Sequence, residues 1–146
     1  QLMPALHVTG NLMLSQNELK NYFSYACGGE VKNLAGNPIA GFPNVLANAR
    51  ATFSHAGLIA SLAMQHVGRK YTDNCKNEHN TVARYTVFHG HVGYEFQRGS
   101  WAGWSLQLHT QNLFNRLYIA HGEGEEFFPA AERQVFVNVR YELHAR

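Results

Sequence analysis

The feature that most constrains this chain is a period of two, repeated in segments that are separated by connections of alternating length. Alternate side chains of an extended backbone point to opposite faces, so a strand with one apolar and one polar face is legible in its sequence. From Thr86 to Phe96, the residues Thr86, Phe88, Gly90, Val92, Tyr94 and Phe96 share one face, and Val87, His89, His91, Gly93 and Glu95 the other. The first face is mostly apolar and aromatic; the second is mostly polar. In Trp104 to Asn112, Trp104, Leu106 and Leu108 oppose Ser105, Gln107, His109 and Gln111. The split is cleanest near the end, where Val135, Val137, Val139, Tyr141 and Leu143 oppose Asn138, Arg140 and Glu142. Leu46 to His55 and Leu58 to Val67 fit more loosely, and a first strand is expected from Leu6 to Leu14, continuing toward Tyr25. That makes about six strands, each near the ~9–11 residues that cross a bilayer at a tilt.

The connections are as informative as the strands. Tight turns are expected at Ala56-Gly57 and at Arg98-Gly99-Ser100, whereas Ser15 to Val45, Arg69 to Arg84 and Asn115 to Arg133 are long. Long, short, long, short, long is the pattern of outer-membrane barrels, with brief periplasmic turns and extended extracellular loops. The long segments are rich in Gly, Asn and Pro, as in Cys27-Gly28-Gly29 and Gly36-Asn37-Pro38, and read as loops, not as further strands. Aromatic residues near strand ends, namely Phe53, Tyr71, Tyr85, Tyr94, Phe96, Trp101, Trp104, Tyr118 and Tyr141, suit girdles at the two membrane interfaces.

Composition removes several alternatives. The longest apolar runs, such as Leu58 to Met64, fall far short of the ~20 residues of a membrane helix. A barrel stays open, because its alternating strands average to a nearly soluble composition. The net charge of +2 is spread along the chain, so nucleic acid is not an expected partner. Gln1 to Gly10 shows no positive start followed by an apolar export segment.

No catalytic constellation emerges, and no enzyme is expected: the serines lack a Gly-x-Ser-x-Gly setting. Glu123, Glu125 and Glu126 share one Gly-containing loop, as a solvated turn or as ligands for a cation. His89 and His91 point to one face of a strand and His109 to the matching face of the next, a spacing that admits a metal. The alternative is a polar interior in which imidazoles fill space and hydrogen-bond to neighbours. No carboxylate or cysteine completes a ligand set, so neither a metal nor a cofactor is expected.

Specific runs then carry a resemblance. Leu106-Gln107-Leu108-His109-Thr110-Gln111-Asn112-Leu113-Phe114-Asn115-Arg116-Leu117-Tyr118 resembles the penultimate-strand motif of TonB-dependent outer-membrane receptors, which closes in Asn-Leu-Phe-Asp-x-x-Tyr. Pro129 to Tyr141 is similar to the family's closing strand, Tyr85-Thr86-Val87 with Gly93 to Phe96 to the strand before, and Gly41-Phe42-Pro43 and Val67-Gly68-Arg69 to earlier landmarks. The family commonly has Asp at the positions of Asn115 and His89.

The resemblance implies an all-β fold, an antiparallel transmembrane β-barrel segment in which residues 1–146 are the C-terminal part of the barrel, with the plug and remaining strands absent. It further implies the Gram-negative outer membrane, and uptake of a scarce solute, a ferric siderophore first among them. The implied partners are the lipid bilayer, the rest of the barrel and plug, and TonB acting through that plug. Two rival readings are a barrel-derived structural or binding subunit without transport, and a soluble small barrel holding an apolar ligand. They differ in what Leu106, Leu108, Val135, Val137, Val139 and Tyr141 touch: lipid, protein or a closed cavity.

On this topology Cys27 follows the first strand and Cys75 the third, which places both on the extracellular side. Neighbouring loop tips can approach the ~5.5 Å Cα separation of a disulfide, and the exterior is oxidising. A Cys27–Cys75 bridge is therefore expected, with two separate thiols as the alternative.

Overall fold

The structure is a computed structural model that describes residues 5–143; Gln1 to Pro4 and His144 to Arg146 lie outside it. In chain order the strands are β1 (Ala5–Leu14), β2 (Phe23–Ser24), β3 (Lys32–Asn33), β4 (Val45–His55), β5 (Leu58–Val67), β6 (Lys70–Tyr71), β7 (Thr81–Val82), β8 (Tyr85–Glu95), β9 (Trp104–Gln111), β10 (Ile119–Glu123), β11 (Glu126–Pro129) and β12 (Gln134–Tyr141). The six long strands form one antiparallel sheet in the order β1-β4-β5-β8-β9-β12, so each lies beside its predecessor. Each pairs only with sequence neighbours, the meander that hairpin connections produce. No helix among the described residues is long and apolar enough to cross a membrane, a statement that leaves strands untouched.

The register carries the alternation across the sheet. One outer row runs Leu6, Phe53, Ala60, Val92, Leu108, Val137, each residue opposite the next. The neighbouring inner row runs His7, Thr52, Ser61, His91, His109, Phe136. The outer face is apolar and open: Val8 is 65% exposed, Leu62 45%, and Val137 and Val139 63% each. Such a face in water is an aggregation surface, whereas in lipid it is the favoured solvent.

The turns fix that register. Ala56 and Gly57 both have positive φ, the two-residue hairpin that matches strand twist. A Cβ on Gly57 would lie 2.5 Å from the carbonyl oxygen of Glu95, so the turn admits no side chain there. The second short connection is longer than Arg98-Gly99-Ser100 alone and contains a 3-10 turn, Gly99–Trp101.

The long connections differ from their expected form. They are not plain loops: segment 15–44 holds the β2–β3 ladder, 68–84 the β6–β7 ladder and 112–133 the β10–β11 hairpin. The first strand also ends at Leu14 and does not continue toward Tyr25. Backbone polar groups in these segments need partners as much as those of the sheet do, and short ladders supply them. We call the three segments L1, L2 and L3.

The buried cluster sits on the inner face, at the end carrying the long segments. Val67, Tyr85 and Val87 form it, with Leu46 and Tyr118 packed against them. The Tyr85 and Tyr118 rings lie 4.3 Å apart. These two tyrosines therefore do not belong to a lipid-interface girdle, and Tyr71 does not either, since its hydroxyl donates to Glu78 in L2.

Candidate functional site

Two regions present organised polar chemistry, the inner face of the sheet and the cap formed by L1, L2 and L3.

On the inner face His91 and His109 are directly paired across β8 and β9, with ring centroids 4.3 Å apart and planes inclined by 24°. Their ring faces meet, whereas two imidazoles that chelate a metal converge through ring nitrogens in the ring planes. His109 Nε2 instead lies 3.3 Å from Gln107 Oε1. His89 stands one pleat higher, and its Nδ1 accepts a long bond of 3.5 Å from the Asn112 N–H. Among the described residues no group of three or more His, Cys, Asp or Glu is disposed to hold a metal ion, the glutamates of L3 included. Around the histidines lie Arg50, Ser61, Ala63 and Gln111, which line a shallow depression with them. Further along, Asn48 Nδ2 donates to Asn11 Oδ1 at 3.0 Å, and Arg140 pairs with Glu142. Among the described residues of this face the histidines bond only to Gln107 and to the Asn112 N–H, so the arrangement is a wall of hydrogen-bonding groups.

In the cap, the two cysteines are joined: Cys27 of L1 and Cys75 of L2 form a disulfide with Cα atoms 5.6 Å apart. Beside it, Asn37 Nδ2 donates to the Asn74 carbonyl and the Ala40 N–H donates to Asn74 Oδ1, both at 2.8 Å. L2 is itself braced. Arg69 Nη2 donates to Tyr71 Oη and to Glu78 Oε2, and Tyr71 Oη donates to Glu78 Oε1, all at 2.7 Å. The Tyr71 hydroxyl, and after it the Arg69 guanidinium, holds the Glu78 carboxyl below the usual carboxylate range. Lys70 is half-buried and donates to the Ala120 carbonyl of L3 at 3.1 Å; that burial pulls its amine down from the ordinary lysine value.

At the opposite end of the outer face, aromatic rings form a continuous chain. Tyr94 meets Phe96 at 4.9 Å, Phe96 meets Trp101 at 6.1 Å, Trp101 meets Trp104 at 6.3 Å, and Trp104 meets Tyr141 at 4.9 Å. Amphipathic rings collect where hydrocarbon gives way to headgroups.

An open six-stranded meander with an apolar outside, a polar inside, an aromatic belt at the short-turn end and a structured cap at the other was compared with known proteins. No protein-family model and no curated protein matches the sequence. Solved structures do. The siderophore receptor PiuA from Acinetobacter baumannii superposes with a TM-score of 0.79 at 18% identity, over 93% of this chain and 19% of that one. The fold of the six strands is that of a stretch of that receptor's β-barrel wall. The ferric-catecholate import receptor Fiu from K12 E. coli gives 0.68 at 19% identity, over 94% of this chain and 19% of that one. The ferric yersiniabactin uptake receptor FyuA from Yersinia pestis gives 0.67 at 19%, over 97% and 21%. The chain thus spans about a fifth of the length of the receptors it matches.

Within the receptor fold, the Asn-Leu-Phe-Asn run acquires a physical role. Asn112 ends β9 with a φ of 49°, a left-handed conformation that Asn tolerates better than most residues. Its buried side chain donates to the carbonyls of Arg116 (2.9 Å) and Ala131 (3.2 Å) and accepts from the Arg116 N–H (2.9 Å), closing both ends of L3 on one residue. Phe114 then folds back to meet Phe88 edge-on at 5.4 Å, and Tyr118 crosses to the inner face against Tyr85. One turn thereby clamps the sheet from both sides.

Proposed function

We propose that this chain is part of an outer-membrane, TonB-dependent transporter that takes up a scarce solute, a ferric siderophore first among the candidates. The observation that carries the reading is the pairing of an apolar outer face with a polar inner face, on a sheet that superposes on a siderophore receptor, a ferric-catecholate import receptor and a ferric yersiniabactin uptake receptor.

In this reading the outer rows face acyl chains, and the row containing His91 and His109 forms part of the lumen wall. L1, L2 and L3 form part of the extracellular mouth. The free edges of β1 and β12 require further strands, because an unpaired backbone group in hydrocarbon costs several kcal/mol. TonB acts through a plug inside the complete barrel, and no enzymatic step is assigned to these strands.

The test is uptake of radioactive iron by iron-starved cells, supplied as catecholate, hydroxamate and citrate complexes, with and without the gene that encodes these strands. Loss of uptake for one class, restored by the intact gene, supports the reading. Unchanged uptake of every class in the deletion strain, with the protein present in the outer membrane of the parent, favours a structural subunit.

A further inference from the structure

L2 is bonded to both of its neighbours, while among the described residues no hydrogen bond joins L1 directly to L3. Toward L1 the links are the Cys27–Cys75 disulfide, the two bonds to Asn74 and the Gly41 N–H to the Tyr71 carbonyl at 2.8 Å. Toward L3 the Thr72 hydroxyl donates to the Gly124 carbonyl, the Gly124 N–H donates to the Thr72 carbonyl at 2.9 Å, and Lys70 reaches Ala120.

Both sets of links grip a stretch that is itself immobilised. Thr72 is 5% exposed and Val82 1%, and the Asp73 carboxylate accepts from the Cys75 N–H (2.8 Å) and from Asn80 Nδ2 (2.7 Å). L3 lies so close that a Cβ added to Gly122 would fall 2.5 Å from Thr72 Cγ2. At their bases L1 and L3 are equally held. The Ser15 N–H donates to the Asn44 carbonyl at 3.0 Å, and Asn112 closes L3.

We infer that L1, L2 and L3 are a single rigid jaw with L2 as its keystone, so that closure over a solute at the mouth must come from chain other than these three segments. The inference rests on the transporter reading for the word mouth, but the mechanical coupling is a property of these residues alone. Loops that move independently need few buried contacts and many solvated backbone groups. Here the backbone groups nearest the junctions are paired, Thr72 and Gly122 are buried, and the other linking residues, Cys27, Asn74 and Cys75 among them, are half-buried.

The coupling predicts action at a distance: L1 and L3 share no bond, yet cutting either grip on L2 changes their separation. Nitroxides are attached at Lys32 in L1 and Glu125 in L3 through a keto amino acid, which leaves the cysteines alone. Their distance distribution is measured by pulsed electron resonance in the protein as isolated from membranes. The expected result is one narrow distribution, broadened at least twofold by Cys27→Ser with Cys75→Ser, and likewise by Gly122→Val, which wedges L3 away from Thr72. Thr72→Val, which removes only a hydroxyl, serves if Gly122→Val fails to assemble. A distribution already broad in the parent, or one that neither cut alters, overturns the jaw. A separate nitroxide at Val137, tested for contact with lipid-soluble oxygen against a water-soluble relaxant, reports on the transporter reading independently. Its failure leaves the distance result standing.

Discussion

Replacing Leu62 with arginine tests the assignment of faces at its most sensitive point. Leu62 lies inside the ten-residue β5, four residues from Leu58 and five from Val67, on the outer face between Ala51 and Gly90. With a rise of ~3.4 Å per residue and a tilt of about 40°, each residue advances roughly 2.6 Å along the membrane normal. Leu62 therefore sits about 10 Å from one end of the strand and about 13 Å from the other, near the middle of an apolar band about 25 Å tall. Arginine there costs about 2–4 kcal/mol, which is about a 30- to 800-fold loss in the folding equilibrium.

Gln65 is the internal control: it lies three residues on, exposed, and on the opposite face with Asn48 and Val87 as cross-strand partners. Gln65→Arg puts the same charge into the lumen and changes stability by less than about 0.5 kcal/mol, as surface substitutions do. Urea titration of the intact polypeptide refolded into phosphatidylcholine vesicles, followed by tryptophan fluorescence, measures both. Equal destabilisation by the two substitutions, or a larger effect at Gln65, refutes the assignment of faces.

Other consequences follow from individual contacts. Alkylation of the unreduced protein is expected to label neither Cys27 nor Cys75, and the 48-residue separation gives the bridge a chain-entropy contribution of about 4 kcal/mol, read as loss of stability on reduction. Asn112→Gly loses three buried hydrogen bonds and costs about 2–3 kcal/mol; Asn112→Ala costs roughly 1 kcal/mol more because alanine resists the positive φ, and denaturant midpoints rank the two. Glu78 has a depressed carboxyl pKa, so its bracing of L2 is present above the unfolded-state value and is lost as pH falls through the folded one. Amide exchange in L2 should accelerate over that acidic window, and in Glu78→Gln the added pH dependence should vanish. Replacing His89, His91 and His109 together with Gln should leave assembly and elemental metal content unchanged, and one transition metal per chain lost in the triple variant would contradict the wall reading.

The six long strands were legible because each has one face in apolar and one in polar surroundings, and period two records that contrast directly. β4, for instance, begins one residue earlier than its pattern suggests and ends where expected, at His55. Ladders of two residues, such as Phe23–Ser24 with Lys32–Asn33, have no period to detect, so L1 and L2 read as irregular, while in L3 the five-residue β10 and four-residue β11 are short and their register shifts between Ile119 and His121. Tyr85 and Tyr118 were placed by nearness to strand ends. Parity puts Tyr85 on the face of Val87, and Tyr118 reaches that face only because L3 folds over the rim, a long-range event no local pattern encodes. The histidines were partly legible. A shared face follows from spacing, but the direct opposition of His91 and His109 depends on how many residues the Gly99–Trp101 turn consumes. Neither Asn74 nor Thr72 carried a signal, since Asn74 matters by accepting from Asn37 and Ala40 of L1 and Thr72 by its paired bonds with Gly124 of L3.

The position of the disulfide also bears on how such a chain reaches the membrane. The covalent ring closed by Cys27 and Cys75 contains all of β4 and β5, together with their two-residue turn. Once oxidised, that hairpin and half of L1 travel as a preassembled cassette whose strands cannot be threaded into a bilayer one at a time. If the bridge closes before the strands meet lipid, β4 and β5 must enter the membrane as a pair, and comparing the insertion of oxidised and reduced chain into vesicles tests that coupling.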